Sequence, residues 1–60
     1  MPLVQISLFE GRTNQQKSNV AKAITEAITE HMDVPNSATT IIFQDVKKSD
    51  WASGGEMADA

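Results

Sequence analysis

From Leu3 to Phe9 apolar and polar residues alternate loosely. Val4, Ile6 and Leu8 fall on one face of an extended chain, and Leu3, Gln5, Ser7 and Phe9 on the other. This period predicts a β-strand, and apolar residues on both faces suit a strand covered from two sides. Glu10-Gly11-Arg12 interrupts the run. Thr13-Asn14-Gln15-Gln16 then has the form of a capping box: the Thr13 hydroxyl accepts from the Gln16 amide, and the Gln16 side chain reaches back. A helix is expected to follow. Val20, Ala23, Ile24, Ala27, Ile28, His31 and Met32 recur at helical spacing as one wide apolar stripe. Lys17, Lys22, Glu26 and Glu30 lie mostly off it. Pro35 disfavours helical geometry at Val34, so the helix should end near Asp33. At ~1.5 Å per residue, roughly twenty residues make a rod about 30 Å long.

Thr39-Thr40-Ile41-Ile42-Phe43-Gln44-Asp45-Val46 is rich in β-branched and aromatic types and predicts a second strand. Strand, helix and strand with short connections form a βαβ unit, with parallel strands and a right-handed crossover. Lys47 to Ala60 is mostly polar, with Trp51 its one aromatic residue and Gly54-Gly55 suited to a tight hairpin turn. Residues 1–60 therefore read as a single α/β (α+β) domain: one βαβ unit with a C-terminal hairpin. Such a unit has open sheet edges and one uncovered face, which is not a finished fold. Pairing an edge with another copy, and covering the outer face with further copies, would complete it.

Composition points the same way. Chains of this length bury little apolar surface and usually add disulfides, a metal or oligomerisation. There is no cysteine and a single histidine, His31, so disulfides and a one-chain zinc site are out of reach and no metal is expected. Oligomerisation remains. The net charge is −3 and the five Lys and Arg are scattered, so the basic stripe of a nucleic-acid binder is missing. No apolar run approaches the ~20 residues of a membrane span or the ~7–15 of a signal-peptide core. A cytoplasmic protein without membrane or nucleic-acid partners is expected.

Met1-Pro2 stands at the head of the first strand. Removal of Met1 would leave Pro2 with a free secondary amine on a rigid element, a titratable base with no side-chain freedom to lose. The plainer reading of the pattern is a strand-start proline, tolerated because it has no N–H to donate.

Taken together, the residues resemble the 4-oxalocrotonate tautomerase family, in its short-subunit branch. The resemblance spans essentially the whole chain. It is carried by Met1-Pro2, Gln5-Ile6, Leu8-Phe9-Glu10-Gly11-Arg12, Asp33-Val34-Pro35, Ile41-Ile42, Trp51 and Gly54-Gly55-Glu56. It implies a tautomerase-like fold, in which two βαβ subunits pair into a four-stranded sheet with two helices on one face. Three such dimers commonly make a hexamer, and the hairpin reaches across subunits. It also implies an isomerase that needs no cofactor and moves a proton in a small unsaturated 2-keto or 2-hydroxy acid, as 2-hydroxymuconate tautomerase does.

By the same resemblance Pro2 is the general base, and Arg12 binds a carboxylate or stabilises oxyanion charge. Trp51 forms the apolar wall, and the backbone amide of Phe9 donates to substrate. Burial against Trp51 and Phe9, and a nearby Arg12, would both favour the neutral amine at Pro2. Thr40 departs from the pattern, since well-known members carry a second arginine there. Its hydroxyl brings no charge, and a charge-assisted bond is about twice as strong as a neutral one. Lys47 or Lys48 is a candidate substitute cation, although such a pair is more often solvated. His31 reads as structural, in the last helical turn. Two other functions fit the resemblance. One is a dehalogenase acting on 3-haloacrylates, for which Ser53 stands where a water-activating acid is needed and Glu56 is the nearest carboxylate. The other is a non-catalytic, ligand-binding homologue.

Overall fold

The computed structural model describes all of residues 1–60. Strand β1 (Leu3–Phe9) leads into helix α1 (Asn14–Met32), and strand β2 (Thr40–Val46) returns beside β1. The two strands are parallel, in a register that pairs Leu3 with Thr40 and Phe9 with Val46. Two short strands, β3 (Ala52–Ser53) and β4 (Glu56–Met57), close an antiparallel hairpin. The βαβ unit and hairpin are as the sequence pattern predicts. Short 3-10 turns at Asn36–Ala38 and Lys48–Asp50 were not expected and tighten the two connections around β2.

Local chemistry accounts for the helix ends. The Gln16 amide donates to the Thr13 hydroxyl at 3.1 Å, and the Thr13 amide donates to Gln16 Oε1 at 3.0 Å. The capping box is complete. At the other end Asp33 takes a left-handed conformation (φ 56°, ψ 48°), which a short polar side chain tolerates. The Thr29 hydroxyl then donates to Asn36 Oδ1 at 2.6 Å, tying the helix to the turn before β2. Lys17 Nζ lies 2.8 Å from Asp45 Oδ1 and ties the opposite end of the helix to β2. No helix is long and apolar enough to cross a membrane.

The helix covers one face of the sheet, over Val4, Ile6, Leu8, Ile41 and Phe43. Its own covered positions are Lys17, Ala21, Ile24, Thr25, Ile28 and Thr29. The predicted stripe is therefore split. Ile24 and Ile28 meet the sheet, whereas Val20, Ala23, Ala27, His31 and Met32 remain exposed. On the far side of the sheet Leu3 and Ile42 are 56% and 45% exposed, and Phe9 38%.

No residue of the isolated chain is fully buried. The accessible surface is 4645 Å², against about 3,800 Å² for a compact monomer of this mass. The shape is correspondingly long, 43 × 24 × 14 Å. The hairpin packs chiefly on itself and on the Lys48–Asp50 turn.

Candidate active site

Pro2 is half-buried at the head of β1, and its carbonyl accepts from the Thr40 amide at 3.0 Å. Main chain is what these two residues share. Pro2 lies on the helix side of the sheet with Val4, whereas the Thr40 side chain points to the open side with Leu3.

Phe9 and Trp51 meet at the other end of β1, with ring centroids 4.7 Å apart and planes inclined at 59°. Tilted pairs of this kind are favourable because a ring edge faces a π-face. Lys48 Nζ lies 5.6 Å from the Phe9 centroid, within cation–π range. The Glu10 amide donates to the Val46 carbonyl, so even-numbered residues of β1 turn their polar groups towards β2. Alternation then turns the N–H of Phe9 to the open edge of the strand. It is free to donate.

Arg12 follows Gly11, whose φ of 109° is a conformation that L-residues rarely adopt. Its guanidinium has no ion pair and no side-chain hydrogen bond within the chain. Together with Ile6, Leu8, Val20 and Phe43 it lines a cleft of about 440 Å³ between the helix and the sheet.

One chain therefore divides the expected site in two. Pro2 and the Thr40 backbone lie at the start of the strands. Phe9, Arg12 and Trp51 lie at the far end, about 20 Å away along a seven-residue strand. Within a single chain neither Arg12 nor the aromatic pair touches Pro2.

A family model described as "Tautomerase enzyme" matches residues 2–60. The chain belongs to the tautomerase family. It is 49% identical over 57 residues to "Probable tautomerase LL0574" of Lactococcus lactis subsp. lactis, covering 95% of this chain and 93% of that one. To the 2-hydroxymuconate tautomerase of Stutzerimonas stutzeri it is 35% identical over 60 residues, covering 100% and 95%. Among solved structures, a 4-oxalocrotonate tautomerase isozyme from Methylibium petroleiphilum superimposes with a TM-score of 0.91 at 39% identity, covering 98% and 95%. The heterohexamer 4-oxalocrotonate tautomerase of Chloroflexus aurantiacus J-10-fl gives 0.91 at 34% identity, again over 98% and 95%.

The architecture is thus the tautomerase fold, and the chain is an enzyme of the tautomerase type. The non-catalytic reading falls away. Two polar groups of this tautomerase gain weight from the geometry. Lys48, which the sequence offers both as a solvated cation and as a candidate substitute cation, stands over Phe9 in the aromatic cluster. Thr39, which no motif marks, carries a buried hydroxyl without a hydrogen-bond partner in the chain. Only its register, one step before the Leu3–Thr40 pair, could have drawn attention to it.

Proposed function

We propose that this tautomerase interconverts keto and enol forms of a small unsaturated 2-keto or 2-hydroxy acid, with Pro2 as general base once Met1 is removed. The observation that carries the reading is the full-length similarity to a 2-hydroxymuconate tautomerase, in a fold that anchors a proline at the head of its first strand. In the forward direction the neutral Pro2 nitrogen takes the 2-hydroxyl proton of a dienol as the C2–O bond becomes a carbonyl. The electron pair moves along the conjugated chain, and the Pro2 ammonium returns the proton to C3 or C5. Proton and charge balance over the cycle, and no cofactor is consumed. Arg12 binds the carboxylate, the Phe9 amide donates to an oxygen of the substrate, and Trp51 with Phe9 excludes water. Thr40 contributes a neutral hydrogen bond.

The site is completed between subunits. The chain exposes about 800 Å² more than a compact monomer should, close to what one partner buries in a standard interface. The open edge of β1 offers the backbone groups of Leu3, Gln5, Ser7 and Phe9. A second β1 laid antiparallel along that edge brings the partner's Phe9 end alongside Pro2. Further copies on the open sheet face, where Leu3 and Ile42 are exposed, build a hexamer as a trimer of dimers. A cytoplasmic setting suits an enzyme acting on a small soluble acid.

The test compares wild type with Pro2→Ala on 2-hydroxymuconate and phenylenolpyruvate, after intact mass has established loss of Met1. A positioned base contributes about 10²–10⁴ in rate, so the variant should lose activity on that scale. Equal rates for the two proteins would remove Pro2 as the base.

A further inference from the structure

Thr39 Oγ1 is the one buried side-chain polar atom that meets no hydrogen-bond partner in the chain. A hydroxyl left in that condition is costly, and such groups in folded proteins need an explanation. Its place in the ladder supplies one. The register pairs Leu3 with Thr40, so one step back sets Thr39 beside Pro2. The bond from the Thr40 amide to the Pro2 carbonyl carries the ladder to that point. Residues two apart along a strand share a face. Pro2 accordingly lies on the helix side with Val4, and Thr39, extended at φ −97° and ψ 128°, on the same side with Ile41. Neighbouring strands are ~4.8 Å apart, a separation that a hydrogen bond between a Cβ hydroxyl and a group on the facing residue can bridge.

Pro2 changes chemically when Met1 is lost. Joined to Met1, its nitrogen is an amide with neither an N–H nor a basic lone pair. Freed, it is a secondary amine with one donor and one acceptor, and as an ammonium it has two donors. An orphaned hydroxyl and a nitrogen that acquires hydrogen-bonding capacity on processing share one rung of the sheet.

We infer that Thr39 is a positioning residue for the mature Pro2 nitrogen: its hydroxyl accepts one N–H of the ammonium and leaves the other directed at substrate. This rests on the reading of Pro2 as the base. A hydrogen bond to the charged form is the stronger kind, so the hydroxyl favours the ammonium and raises the basicity of Pro2. Within one chain the elements around this end add little competing charge, and the Arg12 cation that a second copy would bring to Pro2 is the same in wild type and variant. Glu30, His31 and Asp33 at the end of the helix are exposed, with His31 and Glu30 3.9 Å apart. The turn of Asn36, Ser37 and Ala38 is uncharged, as are Leu3 and Thr40 on the strands.

The test reads the nitrogen directly. Met1-processed protein labelled with 15N-proline carries two signals, of which Pro35 is an amide that does not titrate and serves as reference. The Pro2 signal followed against pH gives its midpoint without any substrate. Thr39→Val preserves side-chain shape and should lower that midpoint by about one unit, and Thr39→Ser should restore most of it. The acid limb of the kcat/KM profile should move with the midpoint. Should Thr39→Val not fold, Thr39→Ala gives the same readout. Coincident midpoints in wild type and the folded variant overturn the inference. Failure of the base reading would show separately, as full activity in Pro2→Ala, because the titration needs no turnover.

Discussion

Phe9 and Trp51 stand ring to ring, 4.7 Å between centroids and inclined at 59°, at the end of β1 remote from Pro2. Trp51 is half-buried although no residue of the single chain is fully so, and Lys48 adds its ammonium over the Phe9 face. The contact fastens the start of the hairpin segment to the end of the first strand. It also sets two tilted aromatic rings beside a free backbone donor. Trp51→Phe keeps a ring there and should retain most of the activity. Trp51→Ala removes it and should lower kcat/KM by about ten- to a hundredfold, the equivalent of roughly 1.4–2.8 kcal/mol. Steady-state kinetics on 2-hydroxymuconate check this, and unchanged kcat/KM in Trp51→Ala would take the residue out of the site.

Arg12 lacks any ion-pair partner in its own chain, so its charge is available to a ligand. Arg12→Ala should lower kcat/KM by roughly 10²–10³, the scale for deleting an electrostatic donor at a reacting centre. Arg12→Lys keeps the charge but loses the planar fork, and should recover only part of the loss. Comparing a dicarboxylate with a monocarboxylate substrate separates the roles. Loss of carboxylate binding weighs on KM, and loss of oxyanion stabilisation weighs on kcat.

The features that were legible in the sequence are those whose physics is local. The Thr13–Gln16 box, the helix stop before Pro35 and the two-residue turn at Gly54-Gly55, with φ of 59° and 83°, each depend on a few neighbouring residues. The helix stripe was only half legible. Periodicity gives the angular positions of Val20, Ala23, Ile24, Ala27 and Ile28 but not which covering element each one meets. One sheet reaches Ile24 and Ile28, Val20 lines the cleft beside it, and Ala23 and Ala27 are exposed. The candidate site was less legible again, because its residues join through register and strand length. Pro2 and Arg12 read as a pair in a motif, yet β1 holds them apart. Thr39 is invisible until the ladder sets it beside Pro2.

Lys17 and Asp45 form the ion pair that joins the helix to β2, with side chains 21% and 44% exposed. Solvent reaches both groups, so the interaction belongs near the upper end of the surface range rather than with buried pairs. Lys17→Met keeps the aliphatic stem and should cost about 0.5–1 kcal/mol. Urea unfolding at fixed protein concentration measures it, since the proposed assembly would make stability depend on concentration. The difference between the proteins should shrink as salt is raised. A loss of several kcal/mol would instead mean that assembly buries the pair.

Ser7 is one of the two inner residues on the open edge of β1. The ladder turns Ile6 and Leu8 towards β2, so the amide of Ser7 faces away and makes no bond within the chain. Proline is tolerated at such an edge, where no donor is lost within the sheet. Ser7→Pro should therefore leave the βαβ unit folded while removing a donor from the pairing with a second copy. The expected result is a drop to smaller species by native mass spectrometry, with loss of turnover because Pro2 no longer meets the partner's Phe9 end. Ser7→Ala, which keeps the amide, should retain both mass and activity. If Ser7→Pro kept the wild-type mass and rate, pairing of two copies through this edge would be ruled out.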